Sequence, residues 1–86
     1  MPKRARIEAE SWEGVDRDLF ERLRALRLEI ARARNVPPYV IFHDTTLREM
    51  ARSRPTSVDA LRHVYGVGER KAAELGTRFI EVIRGS

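Results

Sequence analysis

Arg17, Arg24, Arg27 and Arg34 recur at intervals of seven, three and seven residues in this 86-residue chain, and arginine is well shaped to hold phosphate. Its planar guanidinium donates two hydrogen bonds at once to an anionic group and keeps its charge at physiological pH. On a helix, at about 100° per residue, these arginines gather on one flank of an apolar arc made by Leu19, Leu23, Leu26 and Ile30. Asp18, Glu21 and Glu29 gather on the other flank, where Asp18 can pair with Arg22 and Glu29 with Arg32. One flank is thereby neutralised, and the other is a row of arginines with no acidic neighbour on its own helix. The row suits a polyanion; the alternative is a solvated face, or one matched by acids of another helix such as Asp59 or Glu81. Arg48 and Arg52, one turn apart, add a smaller basic ridge.

Two further groups bear on the same chemistry. Tyr39 follows Pro37-Pro38, which stiffen the backbone at the end of the arginine row. Single-stranded nucleic acid is held by stacking bases on aromatic rings inside a basic groove, although a tyrosine is also often half-buried with its hydroxyl bonded to backbone. Gly66-Val67-Gly68 reads as a tight turn between two helices, with Arg70 and Lys71 just beyond it. Backbone amides at such a turn can hold a phosphate, or the glycines can serve packing alone. Glu69 at the mouth of the turn opposes a strong phosphate site.

Catalytic chemistry finds no such support. There is no GxxxxGK[ST] loop, His43 and His63 stand twenty residues apart, and cysteine is absent. Serines, threonines, Asp44, Glu49 and Asp59 fall where helices begin, where capping and the helix dipole explain them. The expectation is a domain with no catalytic residue, no metal ligand and no cofactor. No apolar run is long enough to span a membrane, the N-terminus lacks a signal-peptide core, and the lack of cysteine fits a reducing, cytoplasmic setting. The net charge of +4, with 15 arginines among 17 basic residues, favours a polyanionic partner without demanding one.

The elements that must position these groups are helical. Residues 1–14 lack an apolar period, and Lys3, Arg4 and Arg6 are cancelled by Glu8, Glu10 and Glu13, so this stretch reads as an arm with Trp12 pinned against the domain that follows over 15–86. Asp16 caps a helix over 17–34 whose Leu19, Leu23, Leu26, Ile30 and Ala33 form the inner face; Asn35 and Pro37-Pro38 end it. Tyr39-Val40-Ile41-Phe42 reads as a buried turn. A second helix begins between Asp44 and Thr46, with Thr46 and Glu49 as a capping box and Leu47, Met50 and Ala51 facing inward. Pro55 breaks the chain, a third helix carries Val58, Leu61 and Val64, and a fourth runs from Glu69 to Leu75. Gly76 then separates a last helix with Phe79, Ile80 and Ile83. The sum is an all-α, compact bundle of five short helices with a helix-hairpin-helix-like GVG turn.

In their order and spacing, VPPYVIF, DTTLREMA, RPTSVDAL and GVGERK resemble the HRDC domain, the helicase and RNase D C-terminal module, over nearly all of 18–84. VPPYVIF with GVGxxK looks most like the version in bacterial RecQ helicases. The resemblance implies a five-helix, SAM-like fold. It implies an accessory DNA-binding surface on a larger ATP-dependent helicase, for single-stranded, forked or junction-like DNA, in a monomer associated with the nucleoid. It also implies that Tyr39 and Lys71 belong to the DNA-contacting surface. Other members dock on the helicase core, and an RNase D-type setting would make the ligand RNA. Combining resemblance with residue chemistry, the candidate DNA-binding residues are Tyr39, Arg24, Arg27, Arg34, Arg48, Arg52, Gly66, Gly68, Arg70 and Lys71. Two departures bear on surface function: Leu75 stands where the family often has an aromatic, and His43 where a small polar residue is common.

Overall fold

A computed structural model describes residues 12–86; the expected arm therefore falls outside the described residues up to Ser11. Helix α1 spans Arg17–Arg34. Asp16 opens it, its Oδ1 accepting the Leu19 amide at 3.0 Å. That bond, with the charge of Arg54 2.8 Å away, holds the Asp16 carboxyl below its ordinary range despite partial desolvation. Asn35 closes the helix in the left-handed conformation (φ 56), its amide donating to the carbonyls of Ala31 and Arg32. Both ends lie where capping chemistry placed them.

The inner face of α1 differs from the expected arc. Phe20, Arg27 and Ala31 are buried, whereas Ala33 is exposed and Leu26 only half-buried. The buried face is rotated by about 50° from the apolar stripe. Arg27 therefore stands near its middle, where its Nη1 makes an ion pair and a backbone bond while its Nε is left without a partner.

Helix α2 (Pro38–Ile41) is one turn long. The expected buried turn is only half right, since Ile41 is buried while Tyr39 and Val40 are exposed. Helix α3 spans Asp44–Ser53 with His43 as its cap residue, and Arg54 ends it at φ 50 with its amide on the Met50 carbonyl at 2.8 Å. The capping box does not form: the helix starts before Thr46, which is buried inside the first turn, and Glu49 pairs with Arg52 instead. Helix α4 (Val58–Arg62) is capped by Ser57 Oγ, which accepts the Ala60 amide at 3.1 Å.

Helix α5 runs unbroken over Gly68–Arg84, so Gly76 does not divide it. A Cβ on Gly76 would stand 3.3 Å from Leu61 Cδ2 and 3.5 Å from Val58 Cγ2. The glycine lets α4 lie close against α5, a packing gain that offsets the ~1 kcal/mol cost of a mid-helix glycine.

α1 packs on α2, α3 and α5, and α4 docks on α5. Leu19, Leu23, Leu47, Met50 and Leu61 are fully buried around Phe42 and Phe79, whose rings meet edge to face at 5.0 Å. Among the described residues there is no strand, and the fold is all-α.

Candidate nucleic-acid interface

The arginine row on α1 does not survive folding as a row. Arg27 is 7% exposed; its Nη1 contacts Asp44 Oδ1 at 2.6 Å and donates to the Phe42 carbonyl at 2.9 Å. It fastens α1 to the start of α3 and is not a ligand-facing group. Arg24 has an acidic neighbour after all, Glu21, at 3.1 Å. Arg17 lies over the Trp12 ring at 4.4 Å. On the opposite flank Asp18–Arg22 forms at 3.0 Å, but Glu29 pairs with Arg78 of α5 at 2.5 Å. Of the four, Arg34 and Arg24 are exposed beside a groove, each a different one.

Arg48 and Arg52 are likewise not an outer ridge. Both are half-buried beneath the segment that precedes α1. Arg48 lies 5.2 Å from the Trp12 ring centroid, and Arg52 donates to the Glu13 carbonyl at 2.9 Å. Trp12, edge-on to Phe20 at 4.8 Å, is indeed pinned to the domain.

What remains presented converges on one edge, where the end of α1, the turn α2 and the start of α5 meet. Pro37 and Pro38 hold Tyr39 outward, 60% exposed, with its ring near-parallel to that of His43 (centroids 6.1 Å apart, 25° between planes). Lys71 ties α5 to this turn: its Nζ donates to the Val40 carbonyl at 3.2 Å and sits 5.6 Å from the Phe42 ring. A groove of about 270 Å³ has Val36, Val40, Ile41 and Leu75 in its walls and Arg34, Arg70 and Lys71 beside Glu74. Glu74 bonds Arg70 at 3.1 Å and lies 4.0 Å from Arg34, so one carboxylate faces three cations. Pro38, on the other side of Tyr39 in sequence, lines a second groove with Arg24 and the exposed Leu28.

The two glycines of the hairpin turn serve different ends. Gly66 (φ 85) faces Thr46, whose Oγ1 would collide with any Cβ there, so this glycine packs the turn against α3. Gly68 (φ 68) would meet nothing within 4 Å, and Val67 offers α5 no side-chain cap. Arg70 and Lys71 belong to the edge groove instead of the turn.

The sequence profile of the HRDC domain matches residues 16–83, four-fifths of the chain. The chain belongs to the HRDC family. Its matched segment is 48% identical to the ATP-dependent DNA helicase RecQ of Bacillus subtilis over 67 residues, covering 78% of the chain and 11% of that helicase. RecQ of Haemophilus influenzae gives 46% over 69 residues, 80% of the chain and 11% of the relative. The helicase UvrD2 of Mycobacterium tuberculosis gives 39% over 71 residues, 83% of the chain and 10% of the relative. The chain spans about a tenth of the length of these curated relatives, and the HRDC domain is a small, noncatalytic accessory part of them. Among the described residues no His, Cys, Asp and Glu group could hold a metal ion, and no helix is long and apolar enough to cross a membrane.

Of the candidate residues, the HRDC fold brings Tyr39, Arg34, Arg70 and Lys71 to one edge, with Gly68 at the adjoining helix start. It keeps Arg24 on the second groove and withdraws Arg27, Arg48, Arg52 and Gly66 into packing. Sequence reasoning gave His43 no definite role beside Tyr39 and overlooked Tyr65, which is 77% exposed at the hairpin tip. An aromatic beside a turn glycine was the available signal.

Proposed function

We propose that this HRDC domain is an accessory DNA-binding part of a larger, RecQ-type ATP-dependent DNA helicase. In this reading it holds single-stranded or structured DNA and tunes which substrates the motor engages. One observation carries the reading: Tyr39 is held outward on a proline-stiffened turn whose neighbour Val40 walls a groove edged by Arg34, Arg70 and Lys71. A ring that bases can stack on, next to cations that phosphates can bond, is what single-strand binding needs.

A second reading rests on the other groove. Ala25, Leu28 and Pro38, with Glu21 and Arg24, offer a mixed apolar and charged surface suited to docking on the helicase core. Titration of a labelled oligothymidine strand separates the two. With Arg34, Arg70 and Lys71 each engaging a phosphate, log affinity falls against log salt with a slope of about −2, roughly 20-fold between about 50 and 200 mM. No binding even at low salt, together with altered ATPase activity when the segment is deleted from its parent, favours docking.

A further inference from the structure

The proposed site uses one of the chain's two tyrosines. The other, Tyr65, is 77% exposed, and among the described residues no ring, cation or hydrogen bond holds it. Exposing most of a tyrosine ring to water gains the fold nothing, and packing does not require it there.

Its position relative to Tyr39 follows from three contacts. Tyr39 stacks on His43, the residue that caps α3. Thr46 lies in the first turn of that helix, and the backbone of Gly66 packs on Thr46 Oγ1. Tyr65 immediately precedes Gly66. Tyr39, through His43, and Tyr65, through its neighbour Gly66, are thus each linked to the first turn of α3.

The charges between the two tyrosines are mixed. Asp44 is paired with Arg27 at 2.6 Å, while Arg62 pairs with Asp59 and stands 3.7 Å from Glu69, so one guanidinium is shared by two carboxylates there. Lys71 reaches the Tyr39 turn from α5 through the Val40 carbonyl. Neither His43 nor Val67, the residues that open α3 and α5, gives its helix a side-chain cap.

We propose that Tyr65 is a second stacking residue, and that a single DNA strand runs from Tyr39 past His43 and the start of α3 to Tyr65. The inference rests on the DNA-binding reading above and extends it: the preferred ligand is an unpaired strand long enough to reach both rings. Duplex DNA, whose base faces are already stacked, gains nothing from Tyr65.

The test is a titration of the 86-residue chain and its Tyr65→Ala and Tyr65→Phe variants with labelled oligothymidine of about 16 nucleotides, and with a blunt duplex. Tyr65 is exposed, so neither substitution threatens the fold, and circular dichroism checks this. Tyr65→Ala is expected to weaken single-strand binding about fivefold or more, with an unchanged salt slope, while Tyr65→Phe restores it and duplex binding does not move. Unaltered single-strand binding by Tyr65→Ala overturns the inference alone, as does a Phe variant as weak as the Ala one. Failure of the unsubstituted chain to bind any strand overturns the DNA-binding reading and this inference together.

Discussion

The seam between α1 and α3 and the edge around α2 are built from the same residue types, arginine, an aromatic ring and glycine, and use them in opposite ways. At the seam, Arg27 is closed over by Asp44 and the Phe42 carbonyl and Arg48 lies against Trp12, and beside it Gly66, in the turn before α5, admits Thr46 of α3. At the edge, Arg70 and Lys71 border a groove, Tyr39 projects from its turn, and Gly68 meets empty space. A basic residue inside a packed layer spends its hydrogen bonds on holding elements together, whereas Lys71 and Arg70, although bonded to Val40 and Glu74, border a groove that a ligand can reach. Residue type alone does not separate the two; the direction each helix turns inward does.

The largest effect that could break this contrast is at the hairpin glycines. Gly66→Ala puts a Cβ into the Thr46 hydroxyl and forces φ 85 on an L residue, and is expected to destabilise the fold by about 3 kcal/mol. Gly68→Ala carries backbone strain alone, about 1 kcal/mol. Urea unfolding of the two variants measures the difference. Equal losses would mean that Gly66 is not packed on α3.

Next comes the buried arginine. Arg27→Met leaves the Phe42 carbonyl without its donor, while Asp44, with a 60% exposed side chain, stays largely solvated. The cost is therefore at the lower end for a buried pair, about 1–3 kcal/mol, read as a lower urea midpoint at unchanged m. A midpoint equal to that of the unsubstituted chain would mean that the Asp44 and Phe42 contacts add nothing to stability.

These contrasts also mark how far the sequence could be read. The ends of α1 were legible because Asp16, Asn35 and Pro37-Pro38 act locally, through capping bonds and forbidden backbone angles. The exposure of Tyr39 was not, since its run of four apolar and aromatic residues reads as a buried turn and only Ile41 and Phe42 go inside. The rotation of α1 was not, because the partners that admit Arg27 to the core, Asp44 and the Phe42 carbonyl, lie on a different segment. Gly76 looked like a break and is a close-packing point, since Leu61 and Val58 meet it only after α4 folds back on α5. Thr46 fitted a capping box by spacing, yet burial against the hairpin turn decided its place. Local chemistry was readable, and contacts between segments were not.

The central claim is that the edge around Tyr39 holds an unpaired strand by stacking as well as by charge. Comparing Tyr39→Ala with the unsubstituted chain, in oligothymidine titrations at several salt concentrations, tests it most directly. The account predicts a fall in affinity of about tenfold with an unchanged salt slope, because a base contact is lost and no phosphate contact is. Unchanged affinity, or a loss accompanied by a flatter salt slope, would contradict it.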